Sequence, residues 1–165
     1  MAELNLRLRQ DPVCGQVVTE DSHPWSHLHI RYAFCSEHCQ ERFKKWPHLY
    51  VGDPTHGLSE KQRGKVVRKS HRIKLVEPVD RQRLPEVREA IESLMGIESV
   101  EISGDEIAVA YDLMQVSLRD IEAVIAGETG DLSDGMADRI LRAMIHYSEE
   151  CELDNLAHLA SHYRA

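Results

Sequence analysis

Apolar and polar positions alternate from His27 to Phe34, with Leu28, Ile30, Tyr32 and Phe34 opposed to His27, His29, Arg31 and Ala33. A period of two predicts a half-buried strand. The pattern then changes. Ser36 is an N-cap residue, and SEHCQERFKKW predicts a short helix with Phe43 and Trp46 on its inner face and Pro47 at its end. Alternation returns at His71–Val76, a predicted strand with Ile73 and Leu75 on one face. Arg83–Met95 has helical spacing at Leu84, Val87, Ile91, Leu94 and Met95, with Pro85 in the first turn and Gly96 at the C-cap. Ile97–Ile102 and Ile107–Tyr111 predict two strands around the turn Ser103-Gly104-Asp105, and Ser117 caps a helix to about Ala126. The order β-α-β-β-α approaches the split βαβ motif.

Beyond residue 130 the pattern is helical. Ser133 or Asp134 caps a helix through about Ser148, with a stripe of Met136, Ile140, Met144 and Tyr147 widened by Leu141 and Ile145. A second stripe, Leu153, Leu156, Leu159, Ala160 and Tyr163, is out of phase with it and predicts a break near residue 150. The stripe is read as packing against the βαββα block, over the sheet edge left by a missing last strand. A homodimer through these helices is the alternative.

Charge divides the chain further. Residues 1–59 carry six basic and seven acidic side chains, residues 60–85 nine and three, and residues 86–165 five and eighteen. The turn-rich GDPTHG at Gly52–Gly57 precedes the basic stretch, so a boundary falls between about residues 55 and 70. The basic stretch has no interleaved aromatics for base stacking, and the acidic remainder argues against nucleic acid as a partner. No apolar run approaches the roughly 20 residues of a membrane helix. With no signal-type stretch at MAELNLRLRQ, the expected location is cytoplasmic and the expected thiols are reduced.

Four cysteines are too sparse for a disulfide scaffold, so their spacing carries the chemistry. Cys14 sits in Asp11-Pro12-Val13-Cys14-Gly15, where proline and glycine favour a tight knuckle. Cys35 and Cys39 are one turn apart at a helix start, where the macrodipole is expected to lower thiol pKa values. If the knuckle folds back, three sulfurs converge on a site for Zn(II), Cu(I), Hg(II) or another thiophilic ion. A redox disulfide from Cys14 to either helix cysteine is the lesser alternative, and thiol redox is the single enzymatic option with residues behind it. No Ser-His-Asp arrangement, phosphate loop or paired carboxylates are visible. His38, three residues after Cys35, is the best protein candidate for a fourth ligand, against an equally weighted reading as a solvent-facing histidine. His29 reaches the site only if the strand bends. His23, His48, His146, His158 and His162 read as surface residues, and Cys151 as an unligated thiol.

Residues 10–52 resemble a YHS domain, a member of the TRASH-like group of treble-clef-type metal modules. The matching residues are Asp11-Pro12-Val13-Cys14-Gly15, Phe34-Cys35-Ser36, Cys39, Phe43, Pro47 and Tyr50. The resemblance implies heavy-metal binding through the three cysteines, beside metal transporters and regulators. Gln16 and Ala33 depart from the family's methionine and aromatic. Residues 70–130 resemble a heavy-metal-associated domain through Ile73-Lys74-Leu75-Val76, Gly96-Ile97-Glu98-Ser99-Val100, Val109-Ala110-Tyr111-Asp112 and Val116-Ser117-Leu118 with Ile121. That family's two metal cysteines fall here on Asp80 and Arg83, so this block reads as metal-silent.

The expected fold class is α+β: a treble-clef-like thiolate module (10–52), a basic linker (53–69), a ferredoxin-like βαββα domain (70–130) and a helical tail (131–165). The expected function is a cytosolic heavy-metal-binding protein acting as sensor, chaperone or accessory of metal homeostasis or efflux. The alternative is an adaptor with a structural zinc and a protein partner.

Overall fold

Residues 7–158 are described by a computed structural model, which is mixed α and β with small antiparallel sheets. They form two compact units, one of residues 7–65 with 153–158 and one of residues 66–152. Among the described residues no helix is long and apolar enough to cross a membrane.

The first unit opens with β1 (Leu8–Gln10) and β2 (Val17–Thr19), paired antiparallel across the knuckle. The Gly15 N–H donates to the Asp11 carbonyl at 2.8 Å and the Asp11 N–H to the Gln16 carbonyl at 2.9 Å. Gly15 has φ +82°, a left-handed conformation that costs glycine no Cβ clash. The predicted strand over residues 27–34 is instead a hairpin of β3 (Trp25–His27) and β4 (Ile30–Tyr32). Its turn residues, Leu28 and His29, have φ of 49° and 64°. Both are exposed, as is Ile30, so the alternation there does not mark a buried face. Helix α1 (Glu37–Lys45) starts where expected, with the Cys39 N–H donating to the Ser36 hydroxyl, and the short α2 (Pro47–Tyr50) follows. Phe34, Phe43, Leu49, Tyr50, Val13 and Cys39 are fully or almost fully buried. Phe43 is central, with ring centroids 4.9 Å from Tyr32 and 5.1 Å from Phe34. The buried Arg42 guanidinium donates to the Tyr50 hydroxyl at 2.9 Å.

Residues 53–65 fold with this unit. The Lys61 N–H donates to the Leu49 carbonyl at 3.1 Å, and a Cβ on Gly52 would lie 1.9 Å from the Gly57 carbonyl oxygen, so that close crossing admits no side chain. The division between the units falls at Lys65 and Val66.

In the second unit, β5 (Arg68–Lys74), β6 (Ile97–Ser103) and β7 (Glu106–Asp112) make an antiparallel sheet in the order β5-β7-β6. Helices α3 (Leu84–Glu92) and α4 (Leu118–Thr129) complete the chain order β-α-β-β-α. Ser117 and Asp120 form a capping box at the start of α4. Ile107, Val109 and Tyr111 alternate inward from β7 and meet Ile73, Val87, Ile91, Ile121 and Ile125 in one core. Where a further edge strand was hard to see in the sequence, Leu132 makes an antiparallel bridge to Leu75, and the Ser133 N–H donates to the Lys74 carbonyl at 2.9 Å.

Helix α5 (Met136–His158) is continuous, which corrects the expected break near residue 150. The second unit holds its residues to Glu152, and the first holds those from Leu153. Leu159, Ala160, His162 and Tyr163 lie outside the described residues. The stripe expected to pack is largely exposed: Met136, Ile140, Leu141, Met144 and Tyr147 all face outward. The inward face carries Ile145 against the core and a buried carboxylate, Glu149. Glu149 accepts from the Tyr111 hydroxyl and, at 2.9 Å, from the Leu118 N–H at the start of α4.

A second buried carboxylate, Glu122, lies 2.9 Å from His146 Nε2 and 3.6 Å from Arg142 Nε. The His146 contact is at ion-pair distance but is not aligned as a hydrogen bond. Burial raises the Glu122 pKa above its ordinary value, and its neighbours His146 and Arg142 only partly oppose this. A carboxyl whose folded pKa is raised contributes stability below its unfolded pKa and loses it as pH rises through the folded value. The Glu122→Gln variant is therefore expected to lose less stability than wild type as pH rises from about 4.5. Calorimetric unfolding across that range checks this; parallel profiles would contradict it.

Candidate metal centre

Three elements bring the thiols together. The knuckle between β1 and β2 supplies Cys14, the residue before the Ser36 cap supplies Cys35, and the first turn of α1 supplies Cys39. Cys35 Sγ is 3.5 Å from Cys14 Sγ and 3.5 Å from Cys39 Sγ. No disulfide links them. A four-coordinate ion with sulfurs at about 2.3 Å sets them about 3.8 Å apart. The cluster thus needs to open by only a few tenths of an ångström to hold such an ion. Cys39 is buried, while Cys14 and Cys35 are half-buried, so one side of the cluster is reachable from solvent.

Asp11 belongs to the same group. Ligand atoms of Asp11, Cys14, Cys35 and Cys39 all lie within 4.8 Å of one another. Its carboxylate is already engaged. Oδ1 accepts from the Val13 N–H at 2.8 Å and the Cys14 N–H at 3.4 Å, and Oδ2 accepts from the Cys35 N–H at 2.8 Å. One buried side chain therefore fastens the backbone at two of the three cysteines. Asp11 is part of the knuckle motif, but the cysteine spacing alone gives it no part in the site. The available signal was the Asx-turn habit of an aspartate two residues before a turn N–H.

The thiols share protons unequally. Cys14 is lowered to about 7, chiefly by the hydrogen bond from the Cys39 thiol. Cys35 is raised to about 11, chiefly by burial. Cys39 is raised further still, by the hydrogen bond it gives to Cys14, then by burial and by the Asp11 charge. The expected lowering of the two helix cysteines is thus reversed, because helix-end stabilisation is outweighed by burial and by neighbours that need the proton. Two like charges at this separation repel by about 5 kcal/mol at an effective dielectric of about 20. A bound cation would remove that repulsion and allow all three thiols to ionise.

His38 is half-buried on α1 and is not among the converging ligand atoms. The chain bends at Leu28–His29, yet His29 is exposed and also outside the group. His27 packs edge-on to Phe43 with centroids 5.8 Å apart. His23, His48 and His158 are exposed, and His146 pairs with Glu122. Asp80 and Arg83 offer no thiol; Asp80 Oδ1 accepts from the Gln82 N–H and Arg83 approaches Glu128 at 3.6 Å. Among the described residues the second unit has no group of three converging ligands. Cys151 is half-buried on α5, apart from the cluster.

Compared with protein-family models, curated proteins and solved structures, this chain matches none.

Proposed function

We propose that the first unit is a YHS-like, TRASH-type module that binds one thiophilic metal ion, Zn(II) or Cu(I), through Cys14, Cys35 and Cys39. The observation that carries this reading is the pair of 3.5 Å sulfur separations centred on Cys35, built by a knuckle and a helix start held by one aspartate. Soft sulfur donors select such ions. His38, three residues after Cys35 and half-buried on α1, is the candidate fourth ligand in this reading. The half-exposure of Cys14 and Cys35 supports exchange of the ion with a transporter or regulator, as a sensor, chaperone or efflux accessory would need. The second unit is, in this reading, a ferredoxin-like, heavy-metal-associated-like scaffold without its metal cysteines. The strand order β5-β7-β6 and the β-α-β-β-α sequence support it.

The burial of Cys39 beside Phe43 favours a second reading, an adaptor in which the ion is structural. Chelation separates the two. Loss of the tryptophan signal on metal removal favours structure; a retained fold with rapid exchange favours the carrier.

Elemental analysis tests the binding itself. After incubation with Zn(II), or with Cu(I) under reducing conditions, about one ion per chain is expected, falling below about a tenth in Cys14→Ser. Wild-type protein that retains neither ion would end this reading.

A further inference from the structure

The outward face of α5 is apolar where a lone surface helix is polar. Met136 is 80% exposed, Tyr147 73%, Met144 64%, Leu141 56% and Ile140 55%. At about 100° per residue, residues 136–151 contain an arc of roughly 160° with no charged side chain. It holds those five residues with Ala137, Ala143, Ser148 and Cys151. The helix has already used its opposite face, where Ile145 and Glu149 pack inward. The arc is therefore left over after the second unit is folded.

We propose that this face pairs α5 with α5 of a second copy of the chain, antiparallel, about a two-fold axis at Met144. Three properties of the face select that occupant. The first is self-complementarity. An axis at Met144 sets Leu141 against Tyr147 of the other copy, Ile140 against Ser148 and Ala137 against Cys151, an isologous seam without a charged residue in its pairs. The second is charge. Arg139 and Glu150 lie on the same flank of the arc, and antiparallel pairing brings like flanks together. Each copy's Arg139 then lies beside the other's Glu150. Parallel pairing would instead align the acidic ends, Glu150, Glu152 and Asp154, with one another. The third is area. The five exposed side chains present on the order of 600 Å² per copy, which places the pair near the lower end, about 1,200 Å² in total, of specific interfaces. A reversible dimer is the corresponding outcome.

Sedimentation velocity on the full-length protein, from about 1 μM to about 300 μM, tests this. The wild type is expected to pass from monomer to dimer with a midpoint in the micromolar range. The Met144→Glu variant is expected to raise that midpoint at least about 30-fold, and Arg139→Glu about 5-fold. Adding Glu150→Arg to Arg139→Glu is expected to restore the wild-type midpoint. Far-ultraviolet circular dichroism guards against misfolding; Met144 and Arg139 are exposed, so their replacement is expected to leave it unchanged. A wild type monomeric at the highest concentration overturns the proposal. So does a dimer indifferent to Met144→Glu, or a charge swap that fails to restore association.

Discussion

The Asp11→Ala variant is expected to lose about 3–5 kcal/mol of stability in the first unit, more than a surface aspartate could account for. Asp11 is almost fully buried, and its two oxygens accept from the N–H groups of Val13, Cys14 and Cys35. Alanine leaves these donors without partners, in a position where water cannot replace the carboxylate without a cavity opening. Hydrogen bonds to a charged acceptor contribute roughly 1.5–3 kcal/mol each, though the 3.4 Å contact to Cys14 is long and the three are not additive. The loss falls on a unit with a small core. Both tryptophans of the chain, Trp25 and Trp46, belong to this unit, so tryptophan fluorescence during urea unfolding reports it selectively. A bound ion would mask part of the effect by mass action, so the metal-free protein is the one to compare. Wild-type unfolding in Asp11→Ala would show that the carboxylate does not organise the site. Asp11→Asn separates shape from charge: one oxygen still accepts, but the amide nitrogen cannot, and an intermediate loss is expected.

The second large effect is expected at Glu149. Glu149→Ala leaves the fully buried Tyr111 hydroxyl and the Leu118 N–H unpaired, at a cost of about 3–5 kcal/mol to the second unit. Burial, and then the Glu149 carboxylate, hold the Tyr111 pKa well above its ordinary value, so the phenol remains a donor. The partner deletion makes the argument specific. Adding Tyr111→Phe to Glu149→Ala removes one of the orphaned donors, so the double variant is expected to be less unstable than the sum of the two single ones. Calorimetry of the four proteins gives the coupling. Strict additivity would mean that the carboxylate and phenol do not act as a pair.

The two carboxylates also show where the sequence could and could not be read. The βαββα elements lay within a few residues of their periodic patterns, because Ile73, Ile107, Val109 and Ile121 are at once apolar and inward-facing. The thiol cluster was legible for a related reason: a Pro-Val-Cys-Gly knuckle, a serine cap and a helix start each constrain the backbone locally. Helix α5 was misread because the assumption that apolar means inward fails there. Its exposed stripe is apolar and its buried positions include Glu149. Reading the apolar residues as the packed face produced a second stripe out of phase and a break that does not exist. The hairpin at Leu28–His29 was missed because its left-handed positions carry neither glycine nor asparagine, the usual signals for such a turn. Asp11 was missed as part of the site because its role is played through backbone N–H groups, which leave no pattern in the sequence beyond the aspartate itself.

Trp46 and Asp154 are hydrogen-bonded at 2.7 Å although 108 positions separate them, since the first unit gathers residues from both sides of the second. During synthesis the thiol-bearing segment emerges before Val66–Glu152, yet its unit remains without its last helical turns until the residues after Glu152 are made. Closing a loop of about 90 flexible residues costs roughly 4 kcal/mol of chain entropy. Folding of Val66–Glu152 would shorten that loop to the span between its own ends, so the unit without the metal site sets the timing of the one that carries it. The first unit is therefore completed only after Val66–Glu152 has been made.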